Sequence, residues 1–466
     1  MKKIIFKTIA VVLLLTGMNS CKKGDDLYIS PNAPSTGTPS TMLSGCEVGT
    51  FNNLEGGPVK IASMWMQNSS GVLGQAVQPE QYQPIESDMD NYWNSLYTNM
   101  FNCKIIIDKY GAEDPYYRGI ARVLMAMNLG LATDMWGDVP YSEAFQGAET
   151  GGNFTAHFDP QQSVLSSIQT LLDGAIADLA TSPSANHLTP GSDDFVYYGD
   201  VTAWTKTAWT LKARYYNRLS KKPGFDPNTV LTYLSNGISS NADNCYAKHG
   251  SGGNEQNQWA AYINSRGYIV ASQVLIDSMG NMADPRTAYY FDTIGVGSAY
   301  GNALGDLNPN SSYWGPYLGG VIDANFNVNA AKNIVLVSYA EAKFLEAEAK
   351  LRINASDPTA IASLNDAIKA DVSEVTQGAN DGSSIAIYTA ANTTIHTVIL
   401  EKWKAMFANP VESYSDYRRT GFPVLAINPS GFLSYIPKRL PTAEQERTMN
   451  PNAPTPSLGT PVWYAQ

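Results

Sequence analysis

EKWKAMFANPVESYSDYRRTGFPVL, residues 401–425, decides the reading of this chain. It continues an amphipathic pattern in which Ile395, Ile399, Trp403, Met406 and Phe407 recur at three- and four-residue steps and line one face of a helix ending near Asn409. A second, short helix then starts. Asn409 is its expected N-cap, Pro410 fills the first helical position, and Glu412 stands where a capping-box carboxylate reaches back; Gly421 and Pro423 close the segment. Two helices thus meet at a tight corner that carries Arg418 and Arg419. These guanidinium groups have two readings. They can clamp an anionic ligand, or pair with carboxylates such as Glu346 and Glu348 to lock the corner; the second is favoured because a buried arginine usually has an acidic partner.

Outward from this corner the same punctuation recurs. Asp114-Pro115, Asp159-Pro160, Asp226-Pro227 and Asp357-Pro358 each place a capping side chain before a proline whose missing N–H costs nothing at a helix start. Helical stripes go with them. Trp93, Leu96, Met100, Ile107 and Tyr110 form one; Tyr117, Ile120, Leu124, Leu131 and Met135 another; Val164, Ile168, Leu172 and Leu179 a third; Trp204, Leu211, Tyr215 and Leu219 a fourth. Residues 333–372 read as a helix pair, the first helix small on one side through Ala340, Ala342, Ala347 and Ala349, the second striped by Ile361, Leu364, Ile368 and Val372. The expected architecture is mainly α, with antiparallel helix pairs. A repeat does not follow from periodicity, because the Asp-Pro starts are unevenly spaced.

The 466 residues, 44% hydrophobic and 16% charged, suffice for a large core. Lys2 and Lys3, an apolar run from Ile9 to Leu15, and small residues before Cys21 read as a signal peptide over 1–20. Met18-Asn19-Ser20-Cys21 resembles a lipobox, with Met18 where Leu is commoner, so Cys21 is the expected lipidation site, anchoring the chain to a membrane through acyl chains. Residues 21–40, rich in Pro, Ser, Thr and Gly towards their end, read as a lipidated tether, and 41–466 as a single domain. Loss of Lys2, Lys3 and Lys7 takes the net charge from −11 to −14, which argues against a nucleic-acid partner. Cys46, Cys103 and Cys245 remain, an odd number without CxxC spacing, and are expected to be buried thiols.

Four features in this order resemble the SusD/RagB-like outer-membrane nutrient-binding lipoproteins of Bacteroidota: the turn Trp136-Gly137-Asp138-Val139-Pro140-Tyr141, Asp284-Pro285-Arg286, the helix SYAEAKFLEAEAKLR at 338–352, and the corner at 401–425 with IPKRLPTAEQERTMN at 436–450. Pro441-Thr442-Ala443 departs from the family, where Tyr-Pro is common. The resemblance implies a tetratricopeptide-like scaffold and a lipid-anchored outer-membrane protein that captures an oligomeric nutrient and hands it to a SusC-like TonB-dependent transporter, acting as its lid. It also implies an export tag in Lys22-Lys23-Gly24-Asp25-Asp26. Oligosaccharide is the first expectation for the ligand and peptide the second; a surface glycan hydrolase is the alternative of a different class.

Between 239 and 332 the helical rhythm mostly lapses, apart from a helix expected around Tyr268, Val274, Leu275 and Met279. Residues 295–320 interleave glycines with Tyr300, Tyr313, Trp314 and Tyr317, and irregular segments on a rigid scaffold are where binding residues sit. A sugar ring offers apolar C–H faces and an edge of hydroxyls, so these rings with Asn302, Asp306, Asn308 and Asn310 form the leading ligand region; the rings equally suit anchoring the loop. Trp65, Tyr82, Tyr92 and Trp93 are second candidates, Trp93 being in phase with a core stripe. Enzyme, metal and phosphate motifs are missing, so no cofactor is expected. His249-Gly250-Ser251-Gly252-Gly253 reads as a flexible loop. A carboxylate pair for glycoside hydrolysis is defined in space, and 42 acids leave it open.

Overall fold

The computed structural model describes residues 37–147, 152–292, 298–312 and 330–466. The leader, Cys21 and nearly all of the tether lie outside the described residues, as do Tyr313, Trp314 and Tyr317.

The fold is mainly α. Helix α1 (Pro39–Leu54) opens on a capping box between Thr38 and Thr41 and is followed at once by α2 (Gly57–Trp65) and strand β1 (Ser69–Gly71). Then come α3 (Glu86–Ile105), packed on α1, and α4 (Pro115–Trp136), α5 (Gln161–Leu179), α6 (Val201–Asn217) and α7 (Pro227–Leu234), each packed on the one before. Strand β2 (Cys245–Ala247), α8 (Gln258–Arg266), strand β3 (Ile269–Ala271) and α9 (Gln273–Ser278) occupy the stretch where the helical pattern lapsed. The expected helix around Tyr268 is therefore half strand. Ile269, Val270 and Ala271 are β-branched or small and pair antiparallel with β1, Ser69 opposite Ala271 and Gly71 opposite Ile269.

Strand β4 (Ile334–Val337) pairs with β2 and leads into α10 (Tyr339–Ile353) and α11 (Pro358–Val375). Ser338 caps α10 through the Glu341 N–H at 3.0 Å, and Asp357 caps α11 through Thr359 at 2.8 Å. Ala340, Phe344, Ala347 and Leu351 interlock with Ala360, Leu364, Ala367 and Ile368 into a core of their own, roofed by Val398 and Ala405 of α12 (Ile395–Ala405). Helix α13 (Pro410–Thr420) turns the corner, rests on α2 and ends on Gly421, whose φ of 81° is the left-handed conformation that suits glycine. Cys46, Cys103 and Cys245 are buried free thiols. Among the described residues no helix is long and apolar enough to cross a membrane.

The Asp-Pro starts divide. Asp226 and Asp357 cap their helices, whereas Asp114 accepts the Leu188 N–H and Asp159 holds Tyr141 and Ser142 of the preceding turn at 2.8 Å. Asn409 and Glu412 form no capping box. The Asn409 amide donates to the Leu336 carbonyl at 3.3 Å, and Glu412 enters a buried charge network drawn from α4, α6 and the turn after it, α10, α12 and α13. There Arg218 bridges Asp134 (3.0 Å) and Glu412 (2.6 Å), Arg214 grips Glu341, Lys402 meets Asp416 (3.0 Å), and Arg419 joins Asp416 (2.7 Å) to Glu348. The pairing expected of Arg419 thus falls on Glu348; Glu346 instead pairs with Lys343 and Lys350. Among the described residues Arg418 has no carboxylate partner. It donates to the carbonyls of Asp134 and Lys438 and to the Tyr464 hydroxyl, and lies 3.8 Å from the Tyr414 ring centroid, so dipoles and a π-face neutralise it. Arg286 of the Asp284-Pro285-Arg286 motif anchors a second buried cluster with Asp284 (2.6 Å) and Asp371 (2.8 Å).

Candidate functional site

Where α1 turns into α2, Glu55 is fully buried and organises three parts of the chain. Its carboxylate accepts the Gln258 N–H at the start of α8 (2.9 Å) and meets His249 Nε2 at 2.8 Å; its main-chain carbonyl takes the Lys60 amine. Far from sitting in a free loop, His249 therefore pins residues 249–258 to the N-terminal helices. The segment around α8 becomes one wall of a groove whose other wall is α2 and α3.

The groove is two adjoining hollows, of about 390 and 260 Å³, that share Gly57, Lys60, Gln75, Tyr92 and Tyr262. Tyr92 and Tyr262 are half-buried. Burial raises both phenols, Tyr262 to about 12, so both are neutral hydroxyl donors at physiological pH. The Tyr92 ring lies close against the chain at Gly57, where a Cβ would come within 1.9 Å of the ring's Cζ, so only glycine leaves room for it. Exposed Asn52, Gln75, Asn91 and Ser265 line the hollows, with exposed Asp88 an acid in the lining of the smaller one. Two ring faces with amides and hydroxyls at their edges match the C–H faces and hydroxyl edge of a pyranose. A larger hollow of about 620 Å³ near the C-terminus has rings already engaged: Tyr216 stacks on Phe225, and Lys222 covers Trp463 at 4.5 Å.

Of the candidates from sequence, Trp65 and Tyr82 are core residues. Trp65 is fully buried, donates to the Pro79 carbonyl at 3.0 Å and packs edge-on against Tyr414; Tyr82 is 2% exposed and its hydroxyl accepts the Asn428 N–H at 3.0 Å. Neither presents a ring to a ligand. Asn302 is also buried, donating to the Asp306 carbonyl (2.8 Å) and accepting from Asn308 (3.1 Å), so it builds the loop instead of lining its surface. Tyr300 is 53% exposed and Asp306 exposed, and the loop that carries them is tied to β3 by the Asn302–Ala271 and Ala271–Ser312 main-chain bonds. Trp93 packs in the core against Trp136, while Tyr92 lines the groove. Tyr262 was missed by sequence reasoning; the signal was a helical stripe, Trp259, Ala260 and Ile263, beside it in residues 258–266.

A family model described as starch-binding associating with outer membrane, SusD-like, matches residues 31–441. A search of curated proteins finds no match. Among solved structures, a SusD/RagB family protein from Bacteroides thetaiotaomicron VPI-5482 is 26% identical with a TM-score of 0.76, over 92% of this chain and 99% of that one. A chitin-binding SusD homologue from Flavobacterium johnsoniae is 23% identical with a TM-score of 0.74, over 91% and 98%. A SusD-like protein from Bacteroides thetaiotaomicron VPI-5482 is 19% identical with a TM-score of 0.72, over 91% and 98%. Matched over most of its length by that family model, this chain belongs to the SusD-like family of starch-binding proteins associated with the outer membrane.

Proposed function

We propose that this protein captures an oligosaccharide at the cell surface and delivers it to a SusC-like TonB-dependent transporter, anchored by a lipid on Cys21 and with residues 41–466 acting as one binding unit. The groove carries the reading: two tyrosine rings and a lining of amides and hydroxyls, held between helices cross-linked at Glu55. Family membership and the chitin-binding relative favour a glycan over a peptide. Capture followed by release needs no bond cleavage, only modest affinity. Tyr300, Asp306, Tyr313, Trp314 and Tyr317 remain the second part of the proposed site, Tyr300 being exposed and free to extend a bound chain.

The test is calorimetry of the exported chain against chitin, starch and other oligosaccharides and against oligopeptides, each mixture afterwards analysed for cleavage. Binding without products, weakened by Tyr262→Ala, supports the proposal, and a further loss in Trp314→Ala adds the loop to the site. Cleavage products, or binding of peptides alone, would overturn it. Recovery of a TonB-dependent transporter with the protein from detergent extracts tests the partnership.

A further inference from the structure

We infer that the groove selects a glycan bearing an anionic oxygen group, a carboxylate or a sulfate ester, and that Lys60 is the residue that reads it. This rests on the oligosaccharide reading above and names the chemical class within it. Lys60 lines both hollows at the point where they meet, yet is only 8% exposed. The other described buried lysines each have a carboxylate: Lys212 has Asp173, Lys402 has Asp416 at 3.0 Å and Lys404 has Glu401 at 2.7 Å. Lys60 has none. Its amine bonds to the Glu55 main-chain carbonyl and otherwise lies over the rings of Trp259 (4.7 Å) and Tyr262 (5.6 Å), and the nearby Glu55 carboxylate is already engaged by His249 and Gln258. An amine has more than one hydrogen-bonding position, so donor capacity is left at the groove floor.

A second feature has the same sign. The N-terminus of α2 opens into the larger hollow through Gly56, Gly57 and Pro58, and its N-cap, Gly56, has no side chain to satisfy the first-turn amides. The positive end of a helix dipole and a buried amine held only by a main-chain carbonyl and two rings thus converge at the groove floor. The charged groups near this point are Glu55 at the corner, whose charge acts on the Lys60 amine, exposed Asp88 in the lining of the smaller hollow, and Arg266 at the end of α8, whose charge acts on Tyr262; Tyr92 and Tyr262 are neutral. Burial lowers the Lys60 amine to about pH 7, with the Glu55 charge only partly opposing this. An arriving anion restores the charge, so above neutral pH binding draws a proton from solvent.

The test uses the full exported chain in detergent and matched pairs of oligosaccharides: oligogalacturonates against their methyl esters, and sulfated against desulfated glycosaminoglycan oligosaccharides. Each titration at pH 8 is run in two buffers of different ionisation enthalpy. In at least one pair the acidic member is expected to bind about ten-fold or more tighter, the scale of one charge-assisted hydrogen bond, with net proton uptake, and the pair that responds distinguishes carboxylate from sulfate. Lys60→Gln is expected to abolish the preference, so that the acidic and neutral members of each pair bind alike; should that variant fold poorly, the proton uptake of the unaltered chain decides. Neutral members binding as tightly as acidic ones, or a preference that survives Lys60→Gln, overturns the inference and leaves glycan capture standing. Absence of binding to any oligosaccharide overturns both.

Discussion

Arg419→Met separates the structural from the ligand-binding reading of the corner helix. The guanidinium is fully buried, forks onto both Glu348 oxygens, and also holds Asp416 at 2.7 Å and the Ser220 hydroxyl at 2.9 Å. Burial opposes ionisation of Glu348, yet Arg419 and its neighbours hold that carboxyl far below the ordinary range. Removing one partner of such a pair costs about 3–5 kcal/mol, because the other charge stays buried. Here the remainder is partly rescued: Glu348 keeps Arg352 at 2.8 Å and Asn217 at 3.1 Å, and Asp416 keeps Lys402 at 3.0 Å. The expected cost is therefore near the lower end, about 3 kcal/mol. With an unfolding entropy of roughly 2 cal/mol/K per residue, a chain of this length loses about 3 °C in Tm for that amount. Calorimetric melting and denaturant midpoints measure it, and the double variant Arg419→Met/Glu348→Met should be less destabilised than the sum of the singles. A Tm unchanged to within a degree, with glycan affinity lost, would refute the structural reading and restore the anion clamp.

Gly57→Ala, which forces a methyl group into the Tyr92 ring, should weaken oligosaccharide binding by about ten-fold with little change in Tm, as titration and melting together would reveal. Gly130→Ala places a Cβ 2.1 Å from the buried Tyr215 hydroxyl and is expected to cost about 1–3 kcal/mol by overpacking, read from denaturant unfolding, without altering affinity. Burial raises Glu80 from 4.5 to about 8 against the Gly71 N–H that favours its ionised form. Below pH 4.5 it is protonated folded and unfolded; between 4.5 and 8 only the unfolded chain releases its proton, so this group's contribution to stability falls across that window, by about 5 kcal/mol at most. Glu80→Gln should flatten that slope in melts taken from pH 5 to 8, and an unaltered slope would dismiss the assignment.

The helical frame was legible because apolar residues keep helical spacing and prolines mark helix starts, as residues 358–375 illustrate with Asp357 ahead of them. Which carboxylate meets Arg419 was half legible. Glu346 and Glu348 are two residues apart, about 200° around α10, so only one can face the corner, and sequence spacing does not say which. The same geometry governs the groove. Tyr92 and Trp93 are one step apart on α3, about 100°, which sends the tryptophan into the core and the tyrosine into the groove. Trp65 and Tyr82 were misplaced because aromatic character alone does not distinguish a core ring from an exposed one. The walls themselves were out of reach, since Glu55 and Gln258, which set their spacing, stand 203 residues apart in the chain.

That same long range in the buried charge network fixes an order of events in the making of the protein. Arg214 finds Glu341 only 127 residues later, Arg218 finds Glu412 after 194, and the Asp134 carbonyl waits 284 residues for Arg418. A chain delivered from its N-terminus has helices α4 and α6 in hand long before Glu341, Glu412 and Arg418 exist, and long-range closure of this kind is slow. Until the corner helix arrives, Arg218 has Asp134 but lacks Glu412, and the Asp134 carbonyl lacks Arg418. Completion of the network therefore waits for residues 410–420, close to the last tenth of the chain.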